Sequence, residues 1–219
     1  MVPKLREAFN VAAVASFRID RVLASLERRL AEMLDAGTLR VGLDWERSEL
    51  GRRISFLELE RAKPIHNAEK KSFTARFIKK GEIVDDTRGR ACAQKGILDN
   101  STESMRTLLE AVVAGVAMAD SSQKGQVLDM DGIARAIVAL RPLLRDTAQQ
   151  AMLIACLYDF RDLSDAEFDE WLALLRTDSG GRYARGSSAA ATGSFLEMTE
   201  VFTRTMVDVA RQLKSGGGS

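Results

Sequence analysis

Several residue types that commonly build functional sites are scarce in this chain. Its 219 residues include two cysteines, three prolines and one histidine, and 32 basic against 31 acidic residues leave a net charge of +1. This balance argues against a general electrostatic attraction to nucleic acid, and we predict no nucleic-acid partner. One histidine and no CxxC pair argue against a zinc site, and we predict no metal and no cofactor.

Long apolar runs are also missing. The longest candidate, residues 108–119, is shorter than the roughly 20 residues of a membrane-spanning helix, so it predicts a buried helix and no integral membrane segment. The chain opens with Met1-Val2-Pro3-Lys4 and an amphipathic pattern rather than the apolar core of a secretory signal. The last residues, 215–219, have the composition of an engineered linker and are excluded from the fold prediction.

What the chain has in abundance is helix-forming sequence. Alanine and leucine recur at helical spacing, and no pair of alternating runs is joined by a hairpin turn. We predict an all-α fold in which Pro64 breaks a helix near Lys63 and Pro142 bends a long helix from Asp131 to about Arg161. Asn100 is predicted to open a further helix through a capping box with Glu103.

One short sequence segment, called the repeated phrase below, occurs twice. The segment from Leu43 to Arg53 returns from Leu172 to Arg182, and 129 residues separate Gly51 from Gly180. A period this long predicts a duplicated module rather than a solenoid, and residues 35–83 should superpose on residues 164–212. We therefore predict a first helical module at 1–83, a helical connector at 84–145 and a second module at 146–214.

Each copy contains the signals of a short helix followed by a stop. Asp35 and Ser164 stand at N-cap positions, and Ser164 forms a capping box with Glu167. Gly51 and Gly180 are predicted to end the short helices, at least one with positive φ, while Trp45 and Leu174 should be buried. The residues assigned to this structural motif are Arg47, Ser48, Gly51, Arg53, Arg176, Thr177, Gly180 and Arg182.

Residues that could take part in catalysis or binding give weaker indications of function. His66 follows the Pro64 break, where a structural role is a simpler explanation than general-base catalysis. An acidic cluster could supply an acid–base pair, although helix-start electrostatics explains most of it. The cluster comprises Asp159, Asp162, Asp165, Glu167, Asp169 and Glu170. A basic surface could face an anionic partner, against the alternative of a solvated helix face. Its candidate residues are Arg52, Arg61, Lys63, Lys70, Lys71, Lys79 and Lys80.

The repeated phrase also resembles a known family. The capped acidic helix from Ser164, with Leu172, Leu175 and the run Arg176–Tyr183, is similar to the signature of the bacterial family called domain of unknown function 2059. The segment from Arg90 to Glu103 resembles the connection between its modules. Thr177, Ser179 and Gly181 depart from the usual pattern. The resemblance implies a secreted or periplasmic helical protein, whose signal peptide we expect to be missing here, with no catalytic residues to carry over.

Cys92 and Cys156 remain open to two interpretations, two buried thiols or one disulfide, and the implied compartment favours the bond. For function we expect a non-enzymatic protein that binds a protein partner or an envelope component, and homo-oligomers are compatible with this. The alternatives are a hydrolase of cell-envelope material that uses the acidic cluster, and a lipid or small-ligand carrier with a groove between the modules.

Overall fold

The computed structural model describes residues 13–80, 87–123 and 129–215. After a helical turn at 13–16, these ranges form nine α-helices and one 3-10 turn and contain no strand, which confirms the all-α prediction. The helices are α1 Ile19–Met33, α2 Ala36–Arg47, α3 Glu49–Arg61, α4 Asn67–Lys80, α5 Thr87–Leu98, α6 Ser101–Gln123, α7 Met130–Asp159, α8 Asp165–Arg176 and α9 Asp178–Ser215, with the 3-10 turn Pro64–His66 before α4. The linker-like residues 216–219 lie outside the described ranges.

The chain divides into two compact units. The larger unit is Leu34–Ser188, and the smaller unit combines the described residues of 13–33 with those of 189–215. This division does not follow the boundaries that we predicted at residues 83 and 145. The reason is that α9 continues from one unit into the other as a single helix, whereas the sequence pattern assigned it to one module.

The core of the larger unit forms around the apolar stripe of α8. Phe168, Trp171, Leu172 and Leu175 are all buried there. The rings of Trp171 and Phe160 pack edge to face with their centroids 4.8 Å apart, a favourable aromatic geometry. Helices α5 and α7 pack against each other and complete this core.

A disulfide joins these two helices. Cys92 of α5 and Cys156 of α7 are bonded, with their Cα atoms 5.8 Å apart, and 2% and 4% of their surfaces remain exposed. The bond lies where α5 packs against α7. Of the two interpretations left open by the sequence, the structure contains the bond.

The two copies of the phrase have matching helix ends. Helix α8 begins and ends 129 residues after α2, and Asp35 and Ser164 cap them as predicted, with the full capping box at Ser164. Ser48 and Thr177 then end these helices and also cap α3 and α9, because each hydroxyl accepts a hydrogen bond from the glycine N–H three residues on. These common bounds support the duplication, which stays a prediction.

The explanation predicted for the two glycines is wrong. Gly51 and Gly180 lie in the first turns of α3 and α9, and neither has positive φ. A Cβ on either residue would come closer than 3.0 Å to a backbone carbonyl oxygen, that of Trp45 or Leu174. Glycine is therefore needed for the close approach of consecutive helices at a corner. Trp45 and Leu174 themselves are only half-buried, not buried as predicted, because the corner leaves them at a cavity.

Beyond the corners the two segments differ. Helix α3 ends at Arg61 and the chain restarts at Pro64, as the missing N–H of proline predicts, whereas α9 is continuous through Gly193. Pro142 is accommodated within α7. The capping box predicted at Asn100 is wrong, because this residue has a left-handed φ of 61° and not the extended conformation of an N-cap.

The smaller unit is held by aromatic and polar contacts between its two chain segments. Phe17 packs on Phe195 with ring centroids 5.6 Å apart. Glu197 accepts hydrogen bonds from Ser25 at 2.8 Å and from Arg29 at 3.0 Å, and these donors hold the pKa of its carboxyl below the ordinary value.

Candidate functional site

Two residues of the predicted basic surface pair with two residues of the predicted acidic cluster. Arg61 pairs with Asp162, and Lys70 binds Asp159 at 3.1 Å. The other inter-helix pairs of the acidic cluster are Arg53 with Glu167 and Arg88 with Asp165. Four of the six carboxylates are thus held by separate cations, and Asp169 and Glu170 are exposed. The acid–base role of the acidic cluster stays a prediction.

The remaining basic candidates are dispersed. Lys63 pairs with Glu60, Arg52 donates a hydrogen bond to the carbonyl oxygen of Arg47, and Lys71 is exposed. The side chains of Lys79 and Lys80 lie outside the described residues. In the repeated motif, Arg182 pairs with Asp35 at 3.4 Å and Arg176 donates to Gln94 at 2.8 Å. The basic residues described here mainly tie helices together.

His66 belongs to a polar network around Tyr158. Its ring nitrogens lie 3.5 Å from a Glu60 oxygen and 3.7 Å from a Glu69 oxygen. Glu69 also binds Arg161 and accepts a hydrogen bond from the fully buried Tyr158 at 2.8 Å. These two donors, Arg161 first, lower the pKa of Glu69 to about 2. This network joins α4 to the end of α7. The contacts of His66 within it are those of a structural residue.

A different group of side chains surrounds a cavity of about 170 Å³ in the larger unit. Three aromatic residues contribute to its wall, namely Trp45 from α2, Trp171 from α8 and Tyr183 from α9. Its polar residues include Glu46 and Ser55 from neighbouring positions of α2 and α3. The cavity wall therefore contains residues from both copies of the repeated phrase and from α5.

Lys95 and Asp99 of α5 form an internally neutral pair at this cavity. The Lys95 ammonium is 2.7 Å from Asp99 and lies over the rings of Trp171 and Phe160, 4.8 and 5.6 Å from their centroids. Asp99 also accepts a hydrogen bond from the backbone N–H of Ser101 at 3.0 Å. A buried ammonium is thus stabilised by one carboxylate and by aromatic faces.

Glu58 of α3 is the unusual carboxyl of the cavity. The side chain as a whole remains exposed, yet the surrounding protein removes enough water from the carboxyl to raise its pKa. Lys95 opposes this rise, whereas Glu46, Asp99 and Asp159 add to it. Within the described part of the chain, no hydrogen bond or ion pair compensates this carboxylate.

Tyr183 closes one side of the cavity next to Gly42. A Cβ on Gly42 would overlap the Tyr183 ring, so glycine at this position of α2 lets the ring approach. The Tyr183 hydroxyl lies 3.5 Å from Glu46, which also accepts a hydrogen bond from Ser55 at 2.9 Å. Burial, and then the charge of Glu46, raise the pKa of Tyr183.

Sequence reasoning missed this cavity. The one available indication was that the only two tryptophans, Trp45 and Trp171, stand in or beside the repeated phrase. Trp45 was predicted to be buried and is half-buried, whereas Trp171 is buried. Glu58 and Lys95 lie on helices whose contact the pattern of one chain segment does not reveal.

No protein-family model, curated protein or solved structure matches this chain. In the ranges that the structure describes, no helix is long and apolar enough to cross a membrane. The same ranges hold no group of three or more His, Cys, Asp or Glu side chains arranged for a metal ion.

The charge of Glu58 should cost stability at neutral pH. A raised folded-state pKa means that Glu58 contributes most below its ordinary value of 4.5, and that this contribution is lost as pH rises through the raised pKa. We expect Glu58→Gln to unfold at a higher temperature than the parent at about pH 7 and at the same temperature at about pH 4. Thermal unfolding by circular dichroism measures this.

The control for this measurement is Glu170→Gln, which changes an exposed carboxylate of α8. It should leave the unfolding temperature close to that of the parent at both pH values. A lower unfolding temperature for Glu58→Gln at neutral pH would show that the charge of Glu58 stabilises the fold, contrary to this expectation.

Proposed function

We propose that this chain is a non-enzymatic binding protein of the bacterial envelope, periplasmic or secreted, whose ligand or protein partner enters the cavity beside Trp45, Glu58 and Trp171. The observation that carries the proposal is a cavity whose wall combines three aromatic residues with the carboxylate of Glu58, which has no paired cation in the described part of the chain and whose pKa is raised by burial. Fold stability alone gives no reason to place a charge there, since removing water from it is unfavourable. A ligand that completes the contacts would offset that cost.

Two further observations support the envelope location. The buried Cys92–Cys156 bond is typical of proteins that fold in oxidising compartments. The capped helix at Ser164, which carries the resemblance to domain of unknown function 2059, has the cap expected of that motif. We therefore include membership of the domain of unknown function 2059 family and a location in the bacterial envelope in this proposal.

A matched pair of leucine substitutions tests the binding role of the cavity. Ala184→Leu adds side-chain volume to the cavity wall, whereas Ala173→Leu adds the same volume at an exposed position of α8. The immobilised parent and both variants are incubated with envelope extract of a Gram-negative bacterium. We expect the parent and Ala173→Leu to retain a common component that Ala184→Leu loses. Equal retention by all three, or none above the bare support, would contradict the proposal.

A hydrolase of envelope material is the second candidate, and the raised pKa of Glu58 is the observation that favours it. An acid–base pair needs carboxyls with separated pKa values at one site, and Glu46 and Asp99 share the cavity with Glu58. Release of soluble fragments from peptidoglycan or phospholipid would indicate this activity. Glu58→Gln should then lower the rate by about 100-fold or more, whereas Glu27→Gln, which changes an exposed carboxylate of α1, should leave it unchanged.

A further inference from the structure

The charges at the cavity are unevenly compensated. Lys95 is neutralised by Asp99, so this pair adds no net charge. Glu46 receives hydrogen bonds from the neutral hydroxyls of Ser55 and Tyr183, and no cation is paired with it in the described part of the chain. Glu58 adds a second negative charge to the same wall. The cavity is therefore electrostatically suited to a cation.

The aromatic walls point to the same chemistry. The face of an indole or phenol ring attracts an ammonium or guanidinium group, and the attraction is larger where water is excluded. The structure already contains one example, because the Lys95 ammonium lies 4.8 Å from the centre of the Trp171 ring. Trp45 and Tyr183 offer further aromatic surface beside Glu46 and Glu58.

From this combination we propose that the cavity binds an organic ammonium or guanidinium group between the carboxylates of Glu46 and Glu58 and the aromatic walls. This inference rests on the proposed binding function and names its ligand class. The volume of about 170 Å³ is below the roughly 300 Å³ at which drug-sized pockets begin, which fits one cationic group with a short alkyl chain. A small amine or a lysine or arginine side chain of a partner protein would provide it.

The two tryptophans give a direct measurement, since the chain has no others and both line the cavity. Tryptophan fluorescence is followed while the protein is titrated with n-butylammonium, and separately with n-butanol and n-butyrate. These probes share one alkyl chain and differ in charge. We expect a saturable change with n-butylammonium at up to about 10 mM and none with the other two.

Carboxylate variants identify the binding groups. Glu58→Gln keeps the shape of the side chain but removes its charge, so we expect the Kd for n-butylammonium to rise by about tenfold or more. Glu46→Gln should act in the same direction and provides a second test. The exposed control Glu170→Gln should bind with the Kd of the parent.

Acidification should weaken the same complex, because a protonated Glu58 no longer attracts a cation. The groups that face Glu58 are Lys95 and Asp99 of α5, Glu46 of α2 and Asp159 of α7. Affinity of the parent should fall as pH decreases through the raised pKa of Glu58. The Glu58→Gln variant should lose most of this dependence, which a purely structural role of Glu58 would not produce.

A comparison of two peptides distinguishes the two sources of the cation, a free amine and a side chain of a partner protein. A short peptide with one free lysine is compared with the same peptide acetylated at that lysine. Binding of n-butylammonium together with the free-lysine peptide indicates a partner side chain, whereas binding of n-butylammonium alone indicates a free amine, and either result supports the inference.

Several outcomes overturn the inference. Binding of n-butanol or n-butyrate as tight as that of n-butylammonium would overturn it while the cavity remained a binding site. An unchanged Kd for Glu58→Gln would also overturn it. If no probe binds but retention from envelope extract still depends on Ala184, the cation assignment fails and the proposed function stands. If neither is observed, both fail.

Discussion

Replacing Cys92 and Cys156 by alanine together is expected to lower the free energy of unfolding by about 4 kcal/mol. The bond closes a loop across a sequence separation of 64 residues, and in the chain-entropy model it restricts the unfolded chain by about that amount. Alanine avoids placing an unpaired hydroxyl where only 2% and 4% of the cysteine surfaces are exposed. Urea denaturation followed by circular dichroism measures the change.

The state of the cysteines is checked on the same protein. Denatured parent protein treated with a thiol-alkylating reagent without reductant should gain no mass, and after reduction it should gain two labels. Labelling of both thiols without reductant would show that the bond is absent. A double variant as stable as the oxidised parent would mean that the bond contributes nothing to the fold.

Alanine at Gly51 or Gly180 is expected to destabilise the fold by about 2 kcal/mol or more, which is the usual cost of forcing atoms into a packed site. The added Cβ would come closer than 3.0 Å to the carbonyl oxygen of Trp45 or Leu174. This oxygen belongs to the backbone of the preceding helix, so it cannot rotate away as a side chain can. Relief requires the two helices to separate at the corner.

Gly115→Ala is the matched control, because a Cβ on this exposed residue of α6 meets nothing within 4 Å. Its expected effect has the opposite sign, a gain of up to about 1 kcal/mol, since alanine favours the helix and restricts the unfolded chain. Chemical denaturation of the three variants gives the comparison. Equal effects of Gly51→Ala and Gly115→Ala would disprove the close approach.

Much of the helical arrangement could be predicted from local sequence. The cap at Ser164, the break at Pro64 and the buried stripe through Phe168 depend on a few consecutive residues, whose hydrogen-bonding and backbone preferences act over one or two turns. For the same reason the starts of α2 and α8 followed from the caps at Asp35 and Ser164. The glycine positions were visible too, but their explanation required the distance to a neighbouring helix.

The candidate site was beyond the reach of the same reasoning. Glu58, Lys95 and Tyr183 lie on α3, α5 and α9, and nothing in their local patterns distinguishes them from ordinary helix residues. The acidic cluster and the basic surface were each visible as a run, but their mutual pairing, such as that of Lys70 with Asp159, depends on helix packing.

For this protein the sequence by itself determined the all-α class, the caps at Asp35 and Ser164 and the break at Pro64, because these follow from interactions within a few residues. Only the tertiary structure decided the pairing of Cys92 with Cys156, the close approach at Gly51 and Gly180, and the cavity that brings Glu58 together with Trp45, Trp171 and Tyr183. Each of these depends on the distance between helices far apart in the chain, and the removal of water from a carboxyl arises only when those helices enclose it.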